Sequence, residues 1–188
     1  MASSHDKYVS RAGLKLEGAL RQLRVDPAGW VCADLGCNVG GFVDCLLQHG
    51  AAKVYAIDTG YGTLAWKLRK DSRVVVMERT NAMHATLPEP ADLVTIDVAW
   101  TRQQHILPAA AKMIEAEGRV LTLVKPHYEA PKDVLVRGVL PAEHLETIIE
   151  QVRRQVDEMG WRIVAECPSP VPGTGGNREV WLLLHRIP

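Results

Sequence analysis

Three polar residues stand where apolar runs stop or start. Asp97 closes the run in "LVTIDVAW", Lys125 closes the one in "LVKPHYE", and Glu179 opens the one in "NREVWLLL". Two more acids, Asp34 in "WVCADLGCNVGGF" and Asp58 in "AKVYAIDTG", end apolar runs in the same way. A lysine flanked by carboxylates can take a proton from a hydroxyl, provided its pKa falls towards neutrality. Desolvation and a second cation nearby both push it that way. An isolated acid or lysine at the end of a strand is more often merely solvated, so the chemistry depends on whether the fold gathers these residues.

The elements that must do so can be read from the periodicity. Strands are expected at 30–35, 52–58, 73–78, 91–98, 119–125, 161–166 and 178–186. Helices are expected at 40–50, 62–71, 104–118 and 141–160, with Gly50 and Gly118 closing the first and third of them. A further amphipathic helix opens the chain in "SRAGLKLEGAL", with Ser10 as its N-cap and Ala12, Leu16, Ala19, Leu20 and Leu23 as its apolar stripe. Lys15 falls at the edge of that stripe, where a lysine commonly lays its stem on the core and sends its ammonium to water.

Strands that alternate with helices and are apolar almost throughout imply a mainly parallel sheet covered on both faces. The last two strands have no helix between them and should pair as an antiparallel hairpin. An α/β (Rossmann-like) sheet of seven strands ending in such a hairpin is the arrangement of class I S-adenosylmethionine-dependent methyltransferases. Residues 1–188 are expected to form one such domain, with segment 1–24 packed on it.

Ligands of such sheets bind beyond the carboxyl ends of the strands. There the first loop carries Asp34, Gly36, Gly40 and Gly41 in the order D-x-G-x-x-x-G-G, which is not the dinucleotide fingerprint. A glycine loop of this kind suits S-adenosylmethionine, which has no pyrophosphate to cradle. Asp58 is placed to accept from ribose hydroxyls, and Asn81 in "ERTNA" to reach an adenine edge. Tight turns for the glycines and a helix cap for Asp58 are the plainer alternatives. The same edge receives Asp97, Lys125 and, because the last strand runs the other way, Glu179.

Bulk composition narrows the function classes. With 22 basic and 22 acidic side chains the formal charge is zero, which argues against tight nucleic-acid binding by net charge alone. Lys7, Arg11, Lys15, Arg21 and Arg24, set against Asp6 and Glu17, form a local basic cluster. No apolar run approaches the ~20 residues of a membrane span, and "MASSHDKYVSR" lacks a secretory signal's apolar core. Four cysteines without a CxxC pair point to reduced thiols in the cytoplasm and to no metal site. Trp100 and Trp161 fit either a core or an interface.

"YVSRAGLKLEGAL", "DLGCNVGGFVDCLLQHGA", "VYAIDTGYGTLAWKLRKDSRVVVMERTNA", "LVTIDVAW", "LVKPHYE" and "GNREVWLLL" together resemble the FtsJ-like methyltransferase domain of TlyA-type proteins. These are ribosomal RNA ribose 2′-O-methyltransferases, often labelled haemolysins. The likeness runs from Tyr8 to about Leu184. It implies that Lys15, Asp97, Lys125 and Glu179 form the family's Lys-Asp-Lys-Glu tetrad. It also implies cofactor contacts from Asp34, Gly36, Cys37, Asn38, Gly40, Gly41, Phe42, Asp58, Thr59, Asn81 and Asp97. The family's usual S4-type RNA-binding domain does not precede this stretch. Asn38 and Val39 replace small hydroxyl residues, "DVAW" stands for "DVSF", and the loop after Lys125 has lost glycines.

The expectation is therefore methyl transfer from S-adenosylmethionine to a ribose 2′-hydroxyl of RNA, with rRNA or a ribosomal subunit as partner. A protein partner would replace the absent domain, and the chain would act as monomer or homodimer. The same chemistry on a small-molecule hydroxyl is one rival. A catalytically silent cofactor-binding module, or a membrane-active protein as the haemolysin label suggests, is another.

Overall fold

The structure is a computed structural model and describes residues 7–187. The start of the N-terminal segment, Asp6 included, lies outside the described residues.

Seven strands form one sheet: β1 (Val31–Leu35), β2 (Lys53–Ile57), β3 (Val74–Met77), β4 (Ala91–Ile96), β5 (Ile114–Val124), β6 (Trp161–Pro168) and β7 (Val180–Arg186). Their order is β3-β2-β1-β4-β5-β7-β6. The first five pair parallel, whereas β7 lies antiparallel between β5 and β6. The expected hairpin is thus present, and its second strand is the one that joins the parallel sheet. Strand β1 is buried from Cys32 through Leu35, as its unbroken apolar run requires when both faces are covered.

On one face pack α1 (Ala12–Leu23), α2 (Gly41–Gln48) and the short α3 (Trp66–Arg69), with Leu16, Leu20, Phe42, Leu46, Leu68 and Trp181 in their core. The other face carries α4 (Gln103–Ala110) and α6 (Ala142–Glu158) over Ile106, Leu107, Ile149, Val152 and Trp161. A one-turn helix, α5 (Pro126–Glu129), follows β5 directly. Trp161 is core, whereas Trp100 is 81% exposed.

Three expectations change. The helix foreseen over 62–71 shrinks to the single turn of α3, Trp66–Arg69. The helix foreseen over 104–118 stops at Ala110, and β5 already begins at Ile114. Between the pairs Ala91–Ile114 and Leu93–Arg119 the register slips, so residues 115–118 bulge from the ladder. Gly118 ends that bulge rather than a helix: a Cβ there would lie 2.6 Å from Ile114 Cβ. Ser10 is not the N-cap of α1. Arg11 holds that place without a side-chain cap bond, while the Ser10 carbonyl accepts from Gly13 N–H at 3.1 Å.

The N-terminal helix is held against α2 by close backbone approach. A Cβ on Gly41 would meet Ser10 Oγ at 2.3 Å and Ala12 Cβ at 2.8 Å, and one on Gly13 would run into the Tyr8 ring. The Asp44 carboxylate, 4% exposed, accepts from Val9 N–H at 2.9 Å and fastens the same segment. This contact sets the height of α1 beside the sheet and hence the reach of Lys15.

Candidate active site

The parallel register carries Asp97 and Lys125 to one edge, each one residue beyond its strand (β4 ends at Ile96 and β5 at Val124). Antiparallel pairing of Val124 with Val180 brings Glu179, one residue before β7, alongside Lys125. From α1, Lys15 Nζ donates to Glu179 Oε2 at 2.6 Å. Lys125 Nζ stands 2.5 Å from Asp97 Oδ1, an ion-pair contact in which that buried oxygen accepts no aligned hydrogen bond. Two lysines and two acids from four separate elements therefore form two neighbouring ion pairs.

Glu179 is the most enclosed of the four, at 4% exposure. Gly173 passes so closely over it that a Cβ would lie 2.2 Å from Oε1. Burial raises the pKa of Glu179 above the ordinary carboxylate value, against the pull of Lys15 and Lys125 and with the help of Asp97. His127 follows Lys125 by two residues, is 8% exposed, and has an unpartnered Nδ1. Burial and the two lysines lower its pKa.

A cavity of about 360 Å³ opens at the carboxyl ends of β1, β2 and β4, a size in the range of small-molecule sites. Gly36, Asn38, Asp58, Thr59, Asn81 and Asp97 line it. Asp58 receives Asn38 N–H at 2.8 Å and Gly60 N–H at 2.7 Å, so it shapes the two loops that frame the cavity. Asn81 accepts from Met83 N–H at 3.0 Å and caps the turn that follows it. Thr80, Met83 and Thr101 also line the cavity, and nothing in their local pattern singled them out.

The other expected cofactor residues lie outside this lining. Phe42 stacks on Trp181 in the core, with ring centroids 5.4 Å apart. Cys37 is buried, and burial raises its thiol pKa. Gly40, at φ +98°, makes room for Leu68 and Leu64, and Gly41 makes room for α1, so packing explains the glycine pair. Asp34 sits beneath the loop at 1% exposure. Its Oδ1 accepts from Thr95 Oγ1 at 2.9 Å, and its Oδ2 has no partner. Burial, with Asp97 and Asp58 adding, pushes its pKa up to about 8 against the Thr95 hydrogen bond.

A second cavity, about 660 Å³, adjoins the first through Trp100, which lines both. Trp100 adopts φ +63°, a strained left-handed conformation for a bulky residue, and its ring lies 4.9 Å from that of Tyr128. His127 and the cations Arg102, Lys132 and Arg137 contribute to the wall. Asn177 holds the loop over it, accepting from Leu140 N–H at 3.0 Å and donating to Gly138 O at 3.1 Å. Among the described residues no group of His, Cys, Asp and Glu is arranged to hold a metal ion.

Residues 8–186 match the FtsJ-like methyltransferase family. The chain belongs to that family. The family and the fold imply S-adenosylmethionine as methyl donor, and the smaller cavity fits it: Asn38, Asp58, Thr59 and Asn81 offer polar groups to a nucleoside along its wall, Asp34 keeps an unpartnered carboxyl oxygen beneath the loop, and Gly36, at φ +88°, keeps that loop low over Asp97. Among family members, "16S/23S rRNA (cytidine-2'-O)-methyltransferase TlyA" of Mycobacterium tuberculosis is 41% identical, over 98% of this chain and 71% of its own length. YqxC of Bacillus subtilis is also 41% identical, over 95% of this chain and 66% of its own. The chain thus spans about two thirds of the length of these curated relatives. A solved structure of a hemolysin-named protein from Lactococcus lactis superimposes with TM-score 0.91 at 37% identity, covering 96% of this chain and 89% of that one. Among the described residues no helix is long and apolar enough to cross a membrane.

Proposed function

We propose that this protein transfers the methyl group of S-adenosylmethionine to a ribose 2′-hydroxyl of RNA, with rRNA or a ribosomal subunit in the cytoplasm as substrate. The observation that carries the reading is the pair of lysine–carboxylate contacts, Lys15–Glu179 and Lys125–Asp97, at the sheet edge where Asp97 lines the smaller cavity. The larger cavity supports RNA over a small metabolite. Its wall combines two aromatic rings with three cations, the means by which proteins hold bases and phosphates. The TlyA relative's name points the same way.

When bound, S-adenosylmethionine supplies an electrophilic methyl group on its sulfonium. Asp34, Asn38 and Asp58 would hold the cofactor, with Thr59 and Asn81 beside it. Asp97 would border the cofactor from the cavity wall while positioning the Lys125 side chain by their contact. Lys125, in its unprotonated form, would take the acceptor hydroxyl's proton. Lys15 and Glu179, locked to each other, would orient that hydroxyl. Since the transfer is an in-line displacement, such positioning supplies much of the acceleration.

The test is transfer of labelled methyl from the cofactor to intact ribosomal subunits, free rRNA and a metabolite extract. Label in RNA that disappears in Lys125→Ala, while the variant still binds cofactor, supports the reading. Label confined to small molecules overturns it.

A further inference from the structure

Outside the two cavities, the segment from Tyr61 to Arg79 presents a surface that the site chemistry does not use. It holds five cations against two acids. Three of the cations meet carboxylates: Lys67 with Asp44, Arg69 with Glu78, and Arg73 with Asp71. The other two, Lys70 and Arg79, meet no carboxylate among the described residues. Each lies against an exposed aromatic ring instead: Lys70 Nζ 4.9 Å from the Trp66 centroid, and the Arg79 guanidinium carbon 4.1 Å from that of Tyr61. Trp66 is 69% exposed and Tyr61 70% exposed.

The loop and helix are knitted into one unit. Glu78 accepts from Gly62 N–H at 2.9 Å and pairs with Arg69 of α3, while Arg79 N–H donates to Gly60 O at 3.0 Å. The rings thus rest on a fixed frame beyond the ends of β2 and β3. The unit borders the smaller cavity, since Thr59 and Thr80, its neighbours in the chain, line that cavity. Neither ring lines it.

We infer that the Tyr61–Arg79 and Trp66–Lys70 pairs form a docking surface for a single-stranded stretch of the RNA substrate, its bases stacking on the two rings and its phosphates meeting the two cations. The inference rests on the RNA reading above. A ring backed by an unneutralised cation offers both contacts that sequence-tolerant single-strand binders combine, a π face and a positive charge. Charge complementarity selects the occupant: with every acid of the segment already engaged by an arginine, what is left outward is apolar area and positive charge. If the pairs only cover the rings, their removal will leave function unchanged.

The test measures RNA KM, its salt dependence and cofactor affinity for the whole chain, on whichever RNA-bearing substrate the unaltered protein methylates. The variants are Tyr61→Ala, Trp66→Ala, Lys70→Gln and Arg79→Gln, all at exposed positions, with Tyr61→Phe and Trp66→Phe as retained rings. Loss of either ring is expected to raise KM roughly tenfold. Loss of either cation should lower the log–log salt slope by about one. The phenylalanine variants should keep near-normal KM, and cofactor affinity should not move. Unchanged KM and slope in all four variants would overturn the inference and leave the RNA reading standing. Raised KM in the ring variants with KM and slope both unchanged in Lys70→Gln and Arg79→Gln would show an apolar contact that meets no phosphate, and weakened cofactor binding would assign the surface to the smaller cavity; either overturns it. No methylated RNA from the unaltered protein would overturn the reading, and the inference with it.

Discussion

Replacing Asp34 by Asn should stabilise the protein without its cofactor, and more so as pH rises. Asp34 is 1% exposed and its pKa rises from 3.8 to about 8, chiefly by burial. Between those two values the folded protein holds a proton that the unfolded chain has lost. The group therefore costs stability as pH climbs from about 4 to about 8, and the cost is constant above. A difference of roughly four units, at 1.36 kcal/mol each, is about 5–6 kcal/mol. Asn keeps an acceptor for the Thr95 hydroxyl but leaves an N–H in place of the unpartnered Oδ2, which returns part of that gain. The expected net effect at pH 8.5 is about 2–4 kcal/mol, or roughly 5–15 °C in Tm for a chain of this size. At pH 4 the two proteins should be nearly alike. Thermal and urea denaturation across pH 4–9 measures the difference, and a difference that does not vary with pH would mean that burial does not hold the Asp34 proton. The same substitution should weaken cofactor binding, which calorimetry reads directly.

Three further outcomes follow from the packing around the tetrad. Lys15→Met leaves the Glu179 carboxylate buried without its cation, at a cost of about 3–5 kcal/mol that is largest at high pH and relieved as Glu179 takes up a proton. A double-mutant cycle with Glu179→Gln should recover much of the loss in urea denaturation. Gly41→Ala drives a methyl group into Ser10 Oγ and Ala12, so α1 must shift; about 1–3 kcal/mol of stability and most of the methyl transfer should be lost together, with cofactor affinity the smaller effect. Asn177→Ala removes two hydrogen bonds from the loop over the larger cavity; RNA KM should rise while cofactor affinity stays near normal.

The sheet was legible because its strands are unbroken apolar runs and its last two lack an intervening helix. Those features dictate parallel pairing and a closing hairpin without reference to side-chain detail. Gathering of Asp97, Lys125 and Glu179 followed from strand direction alone. Lys15 did not: its helix pattern placed it at the border of a stripe, and only the family resemblance gave it a destination. The contact that positions it, Gly41 against Ser10 and Ala12, is a backbone approach with no periodic signature. Gly118 misled for a related reason, since a glycine before a strand reads as a helix end whether it caps a helix or closes a bulge. The wall of the larger cavity was hidden too. Arg102, Arg137 and Asn177 sit in loops and Lys132 in a single 3₁₀ turn, where neither a 2.0 nor a 3.6 period marks which side chains face inward.

The proposed reaction places the methyl group on a ribose 2′-hydroxyl. RNA labelled by the protein from S-adenosylmethionine can be hydrolysed completely in alkali, which cleaves only next to a free 2′-hydroxyl. Label is expected in alkali-resistant dinucleotides, and is absent when Lys125→Ala replaces the unaltered protein. Label released in mononucleotides would place the methyl group on a base and contradict it.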